Sequence, residues 1–389
     1  MVSLERWKKR PTTPATLLHS LCSPWPSGIC MKFWCLGVWV VSFLLILLSV
    51  HELYSNDVRV AQLSREVRSK GWIVFSAREA KNDWDLFVMR PDGSNRQNIT
   101  QTPETHETGG RFSPDGQKLL YRRIPKNTKV SHDQWGSQGQ LVVANADGSN
   151  PIAIGSIGEF PWASWSPDAK QVACLSKKGI EIYDLASKKV IRKLDRKGIY
   201  QQMFWSPDGK QFCGTANYYG ESWTVVRMDL ATGSVNPINK FQNCTPDWFP
   251  DSQRIIFSYR PANQEVLDGG KRAQSVGQQL GYGWTQLWMA DLEGKSKTLI
   301  YGEDGRHVYG GAISPDGRYV LFTRSNMDGG GLEEGGAPIG LMRLQDAPSI
   351  GGESPALRKL HPKTKDGPVL DLGMGWEPHW TYAEVGRKK

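Results

Sequence analysis

FSPDGQKLLY, residues 112–121, is the first of five ten-residue segments that can be laid over one another. The others are WSPDAKQVAC from Trp165, WSPDGKQFCG from Trp205, WFPDSQRIIF from Trp248 and ISPDGRYVLF from Ile313. Each runs from an apolar residue through a Pro-Asp turn and a polar or cationic pair into an apolar stretch. Proline sets φ at the first turn position, aspartate bonds its own backbone, and glycine accepts positive φ, so the pattern predicts a hairpin. Asp115, Asp168, Asp208, Asp251 and Asp316 are therefore turn formers, not acid–base pairs. The apolar stretch after each turn is nearly continuous, which suits a sheet packed on both faces.

A second repeated element follows each hairpin: DLFVMRPDG from Asp85, QLVVANADG from Gln140, EIYDLAS from Glu181, TVVRMDLATG from Thr224, QLWMADLEG from Gln286 and IGLMRL from Ile339. Short outer strands come next, such as NIT at Asn98, IAI at Ile152, VIRKL at Val190 and KTLI at Lys297. One unit is thus four strands, running from an inner strand that ends at the Pro-Asp turn to an outer edge. Residues 72–100 supply outer strands without an inner one, and GWEPHWTY (375–382) supplies an inner strand without its continuation. The expected fold is all-β: a six-bladed β-propeller of four-stranded blades, closed by the C-terminal strand completing the first blade.

These Ser-Pro-Asp-Gly and aspartate-glycine motifs resemble the TolB-like, WD-like propeller repeat over about residues 71–385. Ala169 and Ser252 replace the turn glycine, and Phe249 replaces the turn serine. The separate N-terminal domain that TolB carries before its propeller is not matched, so TolB's role in its envelope system does not transfer with the resemblance.

The chain has 389 residues, with 16 Trp and 41 Gly, a composition that favours short strands and tight turns. Its net charge is +9. Residues 1–70 hold nine Lys/Arg and four Asp/Glu, leaving 39 against 35 in the remainder, where the signs look mixed. Duplex binding needs clustered cations, so no nucleic-acid partner is expected. Cys22, Cys30 and Cys35 lie in or before a hydrophobic segment; Cys174, Cys213 and Cys244 have neither zinc spacing nor a disulfide pattern.

That segment, FWCLGVWVVSFLLILLSV (33–50), is uncharged and predicts one transmembrane helix preceding the propeller. Arg6, Lys8, Lys9, Arg10 and Lys32 come before it, so the C-terminal bulk is expected on the periplasmic or extracellular side. A cleaved signal peptide, with synthesis starting at Met31, is the competing reading. The expected division is a cytoplasmic segment 1–31, an anchor 32–50, a stalk 51–70 and the propeller 71–389.

Long insertions at 123–138, 260–284 and 325–337 all fall on the face opposite the Pro-Asp turns. They and a neighbouring loop carry Trp135, Tyr218, Tyr219, Tyr282 and Trp284, with Lys271 and Arg272 beside them. Exposed aromatics of this kind could stack on sugars or anchor a protein; alternatively they fold inward and cap the blades. His106, His307 and His379 fall where the chain leads into inner strands, and could converge on a metal at the channel mouth. Some propeller lyases that act on pectin fragments use such a site, although no motif of theirs aligns here. No G-x-S-x-G elbow occurs, which removes the serine-hydrolase reading. Asn98-Ile-Thr100 and Asn243-Cys-Thr245 are glycosylation sequons. The leading expectation is a membrane-tethered, non-catalytic module without cofactor that binds a protein or glycan of the cell envelope. The alternative is a glycan-processing enzyme using a divalent metal.

Overall fold

The computed structural model describes residues 56–78, 83–131, 134–218, 221–239, 242–260, 285–303, 306–326, 335–347 and 368–386. The chain divides into two units, Met1–Asn56 and Asp57–Lys389. In the second, a helix α1 (56–67) leads into strands β1 (Trp72–Arg78), β2 (Trp84–Met89) and β3 (Gln97–Asn98). Four antiparallel sheets of four strands follow in chain order. The first holds β4 (Thr105–Phe112), β5 (Lys118–Pro125), β6 (Gln140–Asn145) and β7 (Ile152–Ile154). The next holds β8 (Trp162–Trp165), β9 (Gln171–Ser176), β10 (Gly179–Asp184) and β11 (Lys189–Leu194). Then come β12 (Ile199–Trp205), β13 (Gln211–Tyr218), β14 (Glu221–Asp229) and β15 (Val235–Asn239). The last holds β16 (Asn243–Trp248), β17 (Arg254–Tyr259), β18 (Gln286–Asp291) and β19 (Lys297–Tyr301).

The remaining strands correct the expected architecture. β20 (His307–Ile313), β21 (Tyr319–Ser325), β22 (Ala337–Arg343) and β23 (Leu370–Thr381) join β1–β3 in one seven-stranded sheet. The cause is β23, twelve residues long: Leu370–Gly375 pairs with β22, and Trp376–Thr381 pairs with β1. One strand thus serves as the outer strand of one set and the inner strand of the next. The propeller therefore has four separate four-stranded blades and one continuous sheet, not six separate blades. No helix of the described residues is long and apolar enough to cross a membrane. The stretch 33–50, expected as a transmembrane helix, lies outside the described residues.

From residue 56 onward, the segment expected as a stalk is α1. Leu63 and Val67 are fully buried in one cluster with Phe75, Leu321, Ile339 and Leu341. Glu66 clamps the same sheet: Arg343 Nη2 donates to it at 2.6 Å, and Tyr319 Oη also donates to it.

The Pro-Asp turns repeat one hydrogen-bond pattern. Ser113, Ser166, Ser206 and Ser314 each donate through Oγ to the aspartate two residues on, at 2.5–2.7 Å. The hydroxyl in turn accepts the amide of the residue that opens the next strand. At the exceptional turn, Phe249 replaces the serine; Asp251 keeps the bond from the amide two residues on, Gln253, as in the other turns, and accepts from Arg254 Nε in place of the hydroxyl. Ala169 and Ser252, which replace the turn glycine, still adopt φ of 58° and 56°. Ser252 has a use there, since its Oγ accepts the Asp208 amide of the neighbouring blade at 3.0 Å. No comparable bond is made by Ala169. Ala169→Gly should therefore stabilise the fold by up to about 1 kcal/mol, the cost of a Cβ in the left-handed region. Chemical denaturation checks this; equal or lower stability of the glycine variant contradicts it.

Candidate functional site

The inner strands neighbour one another in the order β23, β4, β8, β12, β16, β20, and back to β23. Near its end, each contributes to one layer: Arg111, Ser164, Phe204, Asp247 and Ala312 just before the terminal residue, and His379 two before the end of β23. Two of the terminal residues are tryptophans that stitch blades together. Trp165 Nε1 donates to the Arg111 carbonyl at 3.2 Å, and Trp248 Nε1 to the Phe204 carbonyl at 3.0 Å. Ser164 Oγ accepts the Trp205 amide at 2.8 Å.

Within this layer Arg111 reaches across the axis from β4 to β16, the strand opposite. Its Nη1 donates to Asp247 Oδ2 at 2.8 Å, and the guanidinium lies 3.9 Å from the Phe204 ring centroid. Both charges keep contact with solvent, at 23% and 17% side-chain exposure. A charged, hydrogen-bonded pair of this kind is worth more than an exposed one, yet a ligand can still reach it.

One level deeper, a β-bulge recurs. Pairing slips between Thr108 and Arg111, Gln201 and Phe204, Cys244 and Asp247, Tyr309 and Ala312, and again where β23 meets β1. Each slip holds a left-handed residue: Gly109, Gln202, Thr245, Gly310 and Glu377. Such bulges re-aim side chains, and a β-branched residue at positive φ is costly. The cost is met by bonds between blades: Gln202 Oε1 accepts the Thr245 amide at 2.7 Å, and Ser258 Oγ accepts the Gly310 amide at 3.2 Å. Ser76 Oγ accepts the Gly109 amide at 3.0 Å. Gly109 has no alternative, since a Cβ there would lie 2.6 Å from the Trp135 ring.

Glu377 lies part-buried in this wall, and burial pushes its carboxyl up to about 7, against the pull of Arg111 and Arg122. Arg122 is itself buried and pushed down to about 10 by desolvation. Glu107, fully buried, is likewise raised to about 7 by burial, although Thr102 and Thr105 donate to it. A carboxyl whose folded pKa lies above its unfolded 4.5 destabilises the fold progressively as pH rises from about 4.5 to about 7. Relative to wild type, Glu377→Gln should therefore gain thermal stability across that interval and hold the gain above it. A wild-type profile alone would mislead. Burial pushes His379 down to about 3, which gives the opposite slope between its unfolded 6.5 and about 3. A difference between Glu377→Gln and wild type that does not change with pH would contradict the assignment.

All three histidines have Nδ1 within hydrogen-bond distance of a backbone amide. Nδ1 of His106 accepts the Trp84 amide, that of His307 the Thr285 amide, and that of His379 the Phe112 amide, each at 3.2 Å. An imidazole accepting at Nδ1 carries its proton on Nε2, where a metal would have to bind. At His106 the same Nδ1 also lies 3.2 Å from Asp83 Oδ1, a contact that requires a proton on Nδ1, so the argument from the tautomer applies to His307 and His379; the pKa of His106 is lowered by burial and by Lys126. No group of three or more His, Cys, Asp or Glu arranged to hold a metal occurs among the described residues.

Trp135, for which the sequence leaves an exposed and an inward-capping role open, is 5% exposed. It opens a short helix α2 (Trp135–Gln138) that folds the 123–138 insertion inward, and its ring packs edge-on against Trp162 at 4.8 Å and Trp376 at 5.1 Å. This is the capping alternative, not a stacking platform. Tyr218 ends β13, but its side chain lies outside the described residues, as do Tyr219, Lys271, Arg272, Tyr282 and Trp284. Both sequon asparagines are engaged: Asn98 Nδ2 donates to Asp85 at 2.8 Å, and Asn243, 1% exposed, accepts the Val225 amide at 2.6 Å. Cys174 and Cys213 are fully buried, and burial pushes the Cys174 thiol up to about 12.

Comparison with known proteins places this geometry. A family model described as the TolB beta propeller domain matches residues 70–334. No curated protein matches the chain. Among solved structures, TolB from Acinetobacter baumannii is 17% identical with a TM-score of 0.55, covering 80% of this chain and 67% of that one. The nidogen/laminin complex gives 9% identity and a TM-score of 0.49, over 79% of this chain and 98% of that one. An oligogalacturonate lyase from Vibrio parahaemolyticus gives 13% and 0.40, over 70% and 69%. Identities this low speak to the fold alone.

Proposed function

The chain belongs to the TolB β-propeller domain family, and on that premise we propose that it is a non-catalytic module binding a protein or glycan at the Arg111–Asp247 layer. The observation that carries the reading is the layer itself. Two opposite charges meet across the axis on strands braced by bulges and inter-blade bonds, and both remain reachable from solvent. Rigid, preorganised polar groups of this kind favour recognition, because little ordering cost is left to meet on binding. Of the histidines that a metal-dependent lyase reading requires, His307 and His379 turn their Nδ1 atoms to backbone amides, which supports the non-catalytic reading. The apolar stretch 33–50 and the cations before it support a location on the exported side of a membrane, with the envelope as source of the ligand.

The purified protein should retain a ligand from a glycan array or a defined envelope extract, and a chelator should not release it. Pectin fragments should stay intact in its presence. Metal-dependent cleavage of those fragments, lost on chelation and in His379→Ala, would replace this reading with the enzymatic one.

A further inference from the structure

We propose that β11, on the outer rim, is a second docking site, and that its occupant is an acidic polypeptide segment. The charge distribution points there first. Residues 162–197, which span β8–β11 and their turns, hold nine Lys/Arg against four Asp/Glu. All other residues from 71 onward hold 30 against 31. The positive surplus of the propeller therefore resides in this one sheet, and the mixing of signs read from the sequence holds only outside it.

The strand itself is the most open of its blade. Lys189, Val190, Ile191, Arg192 and Lys193 are all exposed. Val190 at 37% and Ile191 at 54% are two of only six large apolar side chains exposed among the described residues. β11 pairs with β10 on one side and with no described strand on the other. Between Val190 and Arg192 its register slips, leaving Ile191 as the extra residue of a bulge. Lysines and a bulge on an edge strand discourage pairing with another copy of the same edge.

They raise no such barrier to a chain of opposite charge. Carboxylates would complement the lysines, apolar side chains between them would cover Val190 and Ile191, and the open edge offers backbone partners. A nucleic-acid strand fits less well. Single-strand platforms stack bases on exposed aromatics, and the exposed apolar residues of β11 are aliphatic. The site is on the rim and the Arg111–Asp247 layer on the axis, so this inference does not rest on the ligand proposed above.

Fluorescence anisotropy of the full-length chain with a labelled Glu–Val octapeptide tests the proposal, with a Lys–Val octapeptide as control. Binding to the acidic peptide alone is expected, weakened about tenfold in Lys189→Glu/Lys193→Glu and by rising salt. Ile191→Ser should weaken it severalfold, whereas Arg111→Met should leave it unchanged. The substituted rim residues are exposed, and thermal melts should match the parent. No binding of the acidic peptide, or equal affinity in the rim variants, overturns the proposal. So does a preference for oligodeoxythymidine or phosphatidylglycerol vesicles over the peptide.

Discussion

Deleting residues 375–389 is expected to leave a protein that does not fold cooperatively. The deletion removes the half of β23 that pairs with β1 and takes Trp376, Trp380 and Val385 out of three separate buried clusters. It also removes Glu384, which accepts from Arg90 at 2.9 Å and from Trp72 Nε1 at 3.0 Å. A buried tryptophan replaced by alanine costs about 3–5 kcal/mol, and whole domains are stable by only about 5–15 kcal/mol. Two such losses with an opened sheet exceed what the fold can absorb. Trp380→Ala is the milder form: it empties one site between Tyr319 and Tyr382 and frees the Lys70 carbonyl. It should cost about 3–5 kcal/mol by denaturant titration. A truncated protein melting like its parent would mean that the sheet does not depend on the shared strand.

Trp135→Ala should also be strongly destabilising, by about 3–5 kcal/mol. Its ring fills the space above Gly109 and joins Trp84, Ile124, Val130 and Trp376 in one buried cluster. A binding tryptophan standing in solvent would instead leave stability almost unchanged. Little change on denaturation would therefore restore the exposed reading that the packing contradicts.

The repeat was legible because it is local chemistry. Ser-Pro-Asp-Gly states a turn in four residues, and the apolar stretch after it states a covered strand. The shared role of β23 was not legible. Whether a strand is divided between two pairings depends on its length and on partners some 300 residues away, which no local pattern encodes. For a related reason the sequence leaves open whether Trp135 is exposed or caps a blade. An insertion in sequence reads as a loop, and only its contacts with Trp162 and Trp376 reveal a cap. His106 and His307 lie at the starts of the inner strands β4 and β20, whereas His379 lies near the end of β23, and the amides their Nδ1 atoms meet belong to other strands or loops, again a long-range fact. The channel layer did have a signal. Aligning the residue two places before the turn serine, or before Phe249 where it replaces the serine, gives Arg111, Ser164, Phe204, Asp247 and Ala312, with His379 at the matching place in β23. Opposite charges at positions half the ring apart stand out in that column. The excess charge of residues 162–197 was equally open to view, hidden only by counting the propeller as a whole.

The central claim, that ligand is received at the channel layer, is tested most directly by Arg111→Met. Methionine keeps much of the stem that packs on Phe204 but removes the charge that Asp247 and a ligand would share. Affinity for the ligand retained by the wild-type protein, measured by calorimetry beside a thermal melt, should fall by roughly 1.5–3 kcal/mol, the worth of a hydrogen bond to a charged group. The variant should remain folded. Unchanged affinity in a folded Arg111→Met protein would contradict the account.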